Sequence, residues 1–182
     1  TKKDSTGICF IGERHFNSFL KNYLPNIPGE IKDINTGEKI GTHQGLMYYT
    51  IGQRKGIHTG YNEPLFVYKK DLVDNVLYVT KNEGDLISNE LIIESPIFRS
   101  LNFVDLTAKI RYRPEDVRVE IKELDNDLFK VTDPAAKAVA TGQIAVFYKG
   151  EECIGAGIIK EVYGLKTGER VRLDAWHKLT RC

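Results

Sequence analysis

Cys9 is placed as a working sulfur atom would be. It stands in DSTGICFIGER (residues 4–14), where Gly7 and Gly12 bracket the apolar stretch Ile8-Cys9-Phe10-Ile11 just ahead of a helical pattern. A thiol at a helix entrance feels the positive end of the helix dipole, and Arg14, Lys2 and Lys3 add to that field. Both effects favour the thiolate, the form that attacks an electrophile or carries sulfur. The same residue also fits a simpler reading, a small buried hydrophobe, as most free cysteines are. A Cys/His hydrolase would need a base within reach. His15, His43 and His58 are available, but no spacing ties one of them to Cys9. Asp4 and Glu13 flank the loop as ordinary solvated carboxylates. Cys153 heads an apolar strand and is expected in the core, and Cys182 is terminal.

Two basic groups have the chemistry to hold a polyanion. Arg54 and Lys55 lie between Gly52 and Gly56, in the run Gly52-Gln53-Arg54-Lys55-Gly56. The spacings of a Walker loop and of a dinucleotide fingerprint are both missing. What remains is a tight turn presenting two cations, either gripping a phosphate backbone or simply solvated. The second group is Lys109-Ile110-Arg111-Tyr112-Arg113. On a strand, Lys109, Arg111 and Arg113 share one face, and that face is either an RNA footprint or an ordinary polar surface. Tyr112 is then core, or stacks on a base where the strand end exposes it. Gln143 follows Gly142 at a turn and can reach an RNA group. No histidine–cysteine spacing suits a metal, and no metal site is expected.

The elements that must position these residues are mostly strands. Phe16, Phe19, Leu20, Tyr23 and Leu24 recur at helical spacing over residues 14–24, and Pro25 stops the pattern. Residues 30–34 read as a strand ending in the turn Asn35-Thr36-Gly37, and residues 65–68 and 76–80 as a hairpin across Asp74-Asn75. The glycine-rich stretch 41–60 reads as loops around short elements. Residues 81–90 are polar and are expected to link two domains. Beyond them, strands are predicted at 91–94, 107–113, 117–124, 128–132, 138–141, 144–148 and 153–161. Val117, Val119 and Ile121 alternate with Arg118, Glu120 and Lys122, the period of a half-buried strand. Six or seven short strands in so little chain suggest a small closed antiparallel barrel, in which no strand edge stays open.

The composition frames this reading. The chain has 182 residues, 41% hydrophobic, with 26 Lys+Arg against 25 Asp+Glu, so a net charge of +1 gives no global field and any anionic partner must meet a local patch. No apolar run approaches the length of a membrane span, so no membrane partner is expected. Three scattered cysteines, with no CxxC pair, argue against a disulfide framework and for a reducing, cytoplasmic setting. A start at Thr1, in the polar run TKKDSTG, is expected of a piece of a longer chain.

Four ordered strings now converge: TKKDSTGICFIGER (1–14), YLPNIPGEI (23–31), GTHQGLMYYTIGQRKG (41–56) and GQIAVFYKGEECIGAGII (142–159). They closely resemble the tRNA-specific 2-thiouridylases, which replace the C2 oxygen of the wobble uridine with sulfur. The resemblance runs from Thr1 to about Tyr163 and covers the later part of the family's length. The family's ATP-pyrophosphatase domain, with its SGGxDS loop and first cysteine, is not in this sequence. The resemblance implies that Cys9 accepts a persulfide from a donor protein and attacks the adenylated C2 of uridine, or releases hydrogen sulfide to do so. The first cysteine then resolves the linkage through a disulfide. It further implies that Arg111, Tyr112 and Gln143 contact the anticodon stem-loop of tRNAs for Lys, Glu and Gln. ATP and magnesium would belong to the absent domain, and none is expected bound here.

The implied organisation is the end of a HUP-type catalytic domain over residues 1–20, with the carrier loop. A PRC-barrel-like central domain follows over 21–83, then a tRNA-binding barrel over 88–164. The fold class is therefore mainly β with one or two short helices. Two departures are local: Thr141 stands where the family usually has proline, and Leu65-Phe66 replaces the usual Trp-Tyr after Pro64. Residues 165–182 match nothing in the family and carry five cations against two anions. The competing reading is a non-catalytic RNA-binding barrel in which Cys9 is incidental.

Overall fold

A computed structural model describes residues 23, 26–57, 59–60, 63–110, 116–124, 127–166 and 169–173. Cys9, most of the helix expected over 14–24, Arg111, Tyr112, Arg113 and residues 174–182 lie outside the described residues.

Aspartates set the first two hairpins. β1 (Gly29–Asp33) and β2 (Lys39–His43) pair antiparallel. Asp33 Oδ1 accepts the N–H groups of Asn35 and Thr36 at 2.7 and 3.0 Å, which turns the chain where the Asn-Thr-Gly signal predicted. β3 (Phe66–Asp71) and β4 (Val76–Thr80) form the second hairpin, where Asp71 Oδ1 takes the N–H groups of Val73 and Asp74 at 3.1 Å. β1 lies parallel to β4, giving a four-stranded sheet in the order β2-β1-β4-β3. Ile31, Leu65, Val67, Leu77 and Val79 form its core with Leu46, Tyr48 and Tyr49. The last three surround a single 3-10 turn, Leu46–Tyr48, inside the glycine-rich stretch.

The remaining strands build the barrel: β5 (Ile87–Phe98), β6 (Leu106–Lys109), β7 (Val117–Glu123), β8 (Leu128–Lys137), β9 (Ile144–Lys149) and β10 (Glu152–Lys166). Their order is β10-β5-β8-β7-β6-β9, and β9 returns to pair with β10, so six antiparallel strands close on themselves. Leu91, Ile93, Leu106, Val119, Phe129, Val131, Phe147 and Ile159 fill the interior. The rings of Phe98, Phe103, Phe129 and Phe147 stack edge-on or tilted with centroids 5.0 to 5.9 Å apart. β7 shows the expected alternation, with Val119 buried and Arg118, Glu120 and Lys122 exposed.

Two sequence expectations are corrected, and two segments to which the sequence assigned no element prove structured. Residues 81–90 are not a free linker. They carry a 3-10 turn (Glu83–Leu86) capped by Asn82 and the first residues of β5, with Leu86 and Ser88 buried. Residues 138–141 are a bend and turn rather than a strand, because β8 runs through to Lys137 and the chain then reverses into β9. Cys153 is exposed, not core, since the inward position at the start of β10 belongs to Ile154. Part of the unmatched tail is structured: β10 extends to Lys166 and β11 (Glu169–Arg172) pairs with it.

The two sheets meet through one small apolar cluster of Phe66 and Tyr68 from β3 with Leu86 and Ala138, joined by Leu173. The Ala138 N–H donates to the Leu86 carbonyl at 2.9 Å, and the Leu173 N–H to that of Val162 at 2.8 Å.

His43 is fully buried at the end of β2. Its Nε2 faces the Asn75 carbonyl at 3.1 Å, and a carbonyl only accepts, so Nε2 carries the proton. Nδ1 is buried with no hydrogen-bond partner, so a second proton there would find no acceptor. Burial pushes the imidazole below its ordinary value and outweighs the opposing bond to Asn75. The unfolded chain therefore takes up a proton below about pH 6.5 that the folded chain refuses, and stability must fall as pH falls through that range. Melting temperature is expected to drop between about pH 7.5 and about pH 5.5, above the range where carboxylates titrate. A flat profile there would show that His43 titrates freely.

Candidate nucleic-acid interface

Gln53 builds the turn that carries Arg54 and Lys55. Its Oε1 accepts the Thr50 N–H at 3.0 Å and its Nε2 donates to the Lys55 carbonyl at 2.8 Å. Its backbone adds two more bonds, from Gln53 N–H to Thr50 at 3.0 Å and from the Val67 N–H to the Gln53 carbonyl at 2.9 Å. Just upstream, Lys70 Nζ donates to the Tyr49 carbonyl at 3.0 Å, a half-buried lysine whose pKa burial lowers. The turn is tied at both ends and to β3.

Arg54 and Lys55 project from this frame exposed. Elsewhere the described cations are largely committed to carboxylates. Lys32 and Lys39 share Glu30, Lys81 meets Glu63, Lys109 meets Asp116 at 3.3 Å, and Lys160 meets Glu94. Among the described residues Arg54 and Lys55 have no ion pair; Arg99, Arg118, Lys122 and Lys149 have none either, but Arg54 and Lys55 are the pair that stand side by side in one turn. Lys109 is thus brought to the barrel surface as expected, but with its charge shared.

Gln143 sits in the turn that leads into β9. Its Oε1 accepts the Ala140 N–H at 3.3 Å, and its own carbonyl accepts the Ile159 N–H at 2.8 Å. The carboxamide N–H groups have no protein partner among the described residues. Gly142, at φ +80°, lets the chain reverse here despite Thr141 in place of proline. β6 lies beside β9 with Lys109 opposite Val146, which puts Lys109 three residues along from Gln143 on the neighbouring strand.

Tertiary structure also brings together the two turns that sequence could not connect. Gly52 has φ +81°, and a Cβ there would lie 2.3 Å from that of Ala138. The Arg54–Lys55 turn of the first sheet and the Gln143 turn of the barrel therefore spring from opposite sides of one contact. Sequence reasoning read Gly52 only as part of a tight turn and did not single out Gln53. The available signal was a carboxamide, able both to donate and to accept, held between two glycines.

The cations of the tail do other work. Arg170 lies 3.4 Å from the centre of the Tyr163 ring and bonds Glu90 Oε1 through Nε at 3.1 Å and Nη2 at 2.5 Å. Lys130 meets the other Glu90 oxygen at 2.7 Å, and Arg172 meets Glu161 at 3.5 Å. Burial opposes the charge on Glu90, but bonds from Arg170 and Lys130 prevail and hold the carboxyl below its ordinary value. Arg170 and Arg172 fasten β11 to the barrel.

No group of three His, Cys, Asp or Glu side chains among the described residues could hold a metal ion, and the sequence has no Walker loop. No described helix is long and apolar enough to cross a membrane.

Comparison with known proteins gives a consistent picture. A family model described as the tRNA methyl transferase PRC-barrel domain matches residues 17–81, and one described as an aminomethyltransferase beta-barrel domain matches residues 91–159. A relative from Mycoplasma mobile is 47% identical over 167 residues, covering 89% of this chain and 45% of its own length. Another, from Geobacillus kaustophilus, is 51% identical over 172 residues, covering 88% and 46%. Both are named tRNA-specific 2-thiouridylase. The chain spans about half the length of the curated relatives it matches.

The Gly52–Ala138 contact yields a direct stability prediction. Gly52→Ala places a methyl group against Ala138 and an L-residue at positive φ, and is expected to cost about 2–4 kcal/mol. Denaturant unfolding measures this, and a change below about 0.5 kcal/mol would show that the two sheets separate easily.

Proposed function

Since this chain belongs to the tRNA-specific 2-thiouridylase family, we propose that it is the sulfur-carrying and RNA-holding part of a tRNA-uridine 2-sulfurtransferase. The observation that carries the RNA half is the exposed, unpaired Arg54–Lys55 turn anchored beside the turn of Gln143. Phosphate contacts fix an RNA's position, and side chains such as Gln143, Arg111 and Tyr112 then add hydrogen bonds and stacking. Lys109 and Arg113 extend the same footprint. The RNA is the anticodon stem-loop of tRNAs for Lys, Glu and Gln, and the setting is cytoplasmic.

Cys9 carries the sulfur. Its thiolate attacks the outer sulfur of a donor protein's persulfide, the donor thiol departs, and Cys9 holds the sulfur as its own persulfide. That outer sulfur then attacks the adenylated C2 of the wobble uridine and AMP departs with the oxygen; the family's first cysteine, outside this chain, then attacks Cys9 Sγ, forming a disulfide with it and leaving the sulfur on C2. The wobble base must leave its stack to be reached, and contacts that hold the stem while leaving the loop free suit this. Glycines on both sides of Cys9 let the carrier face donor and acceptor in turn. Activation of C2 by ATP and magnesium belongs to the region outside this chain's match. No step of it is assigned to the residues described.

Two measurements test the reading. After incubation with a persulfide donor, mass spectrometry of alkylated peptides is expected to find one added sulfur on Cys9 and none on Cys153. Exposure makes Cys153 a fair control, since it is open to the same reagents. Equal loading, or none on Cys9, would favour an RNA-binding barrel with an incidental cysteine. For the RNA, Arg111→Ala is expected to weaken tRNA binding and reduce the salt slope by about 1. An unchanged slope removes Arg111 from the footprint.

A further inference from the structure

A turn can display cations in many conformations. This one is held in one. Gln53 is the residue responsible, because its carboxamide accepts from Thr50 and donates to Lys55 at once, and neither a carboxylate nor an aliphatic chain does both. The side chain bridges the turn from inside, so the residues after it, Arg54 and Lys55, are pushed outward without partners of their own. Gly56, at φ +79°, closes the turn on the far side. On the near side Gly52 rests on Ala138, four residues from Gly142 and five from Gln143.

We propose that Gln53 is a positioning residue for RNA binding, holding Arg54 and Lys55 as a preformed two-point grip on neighbouring phosphates. The Gly52–Ala138 contact then sets that grip at a fixed offset from the Gln143 turn. This rests on the reading that the chain binds tRNA. Preforming the turn matters because an ordered backbone loses less conformational freedom on binding. Arg54 brings a planar fork that matches phosphate oxygens and Lys55 a point charge. The opposite case is Lys109, whose Asp116 partner must be displaced before it can serve a phosphate.

The test uses the 182-residue chain and an unmodified tRNA transcript, with binding followed by fluorescence anisotropy over a salt series. R54Q/K55Q is expected to reduce the salt slope by about 1.5 to 2 and to weaken binding at low salt about tenfold. Gln53→Met keeps the side chain's length and removes both hydrogen bonds, and is expected to weaken binding about fivefold. In the R54Q/K55Q background the same Gln53→Met change is expected to do nothing further. A purely structural role would not depend on the two cations in that way. If Gln53→Met fails to melt cooperatively, Gln53→Glu, which keeps the acceptor for Thr50 and loses the donor to Lys55, is compared in the same two backgrounds. A wild-type chain that does not bind tRNA overturns the functional reading itself. A wild-type chain that binds, with R54Q/K55Q equal to it in slope and affinity, overturns only the grip. An equal loss from the Gln53 change in both backgrounds overturns the positioning role.

Discussion

β10 is the strand on which the rest of the structure depends. A sheet edge exposes unpaired N–H and C=O groups, and closing the barrel requires the strands at its two ends, β10 and β9, to pair with each other. β10 pairs with β5 on one side along Gly155–Tyr163 and with β9 on the other along Glu152–Ile158. Two features make this possible. At Gly157 any side chain would overlap Ile93, which packs into the core at that level. Ser95, at φ +48°, marks a bulge that lets β5 follow the curve. Beyond β9, the last part of β10 would be open, and β11 covers it.

Closure has consequences at the junction of the sheets. Once β8 and β9 are fixed as barrel neighbours of β5 and β10, the chain between them must turn within a few residues, which pins Ala138 and Gln143. Ala138 then meets Gly52, Leu86 and the aromatic side chains of β3. Leu173, brought back by β11, contacts both the barrel core and this cluster. The tail is thus part of the fold, held by its ladder with β10, by the bond from Arg170 to Glu90 with its stacking on Tyr163, and by Arg172 on Glu161.

Much of this was legible in the sequence. The alternation in residues 117–123 reads out β7 directly, and the Asn-Thr-Gly and Asp-Asn turns locate both hairpins of the first sheet, because period-2 burial and turn chemistry are local properties. The errors share one cause. Residues 87–90 look polar and linker-like because the burial of Ser88 and the pairing of Glu90 with Lys130 and Arg170 come from distant strands. Cys153 looked like core because its apolar neighbours did, but Ile154 is the residue that points inward. The charged tail could be assigned no role from sequence, because the carboxylates that answer it lie on β5 and β10.

The sequence by itself determined the element types, the mainly-β class, the family and the candidate residues, including Cys9, the Arg54–Lys55 turn and Gln143. These follow from residue identity and from spacing over a few positions. Only the tertiary structure decided which cations stay free, since pairing depends on carboxylates far along the chain. It alone joined the Arg54–Lys55 turn to the Gln143 turn, because the contact between Gly52 and Ala138 exists only when two sheets pack. The balanced charge of +1 is the clearest case: the sum is set by composition, but where a usable positive charge remains is set by packing.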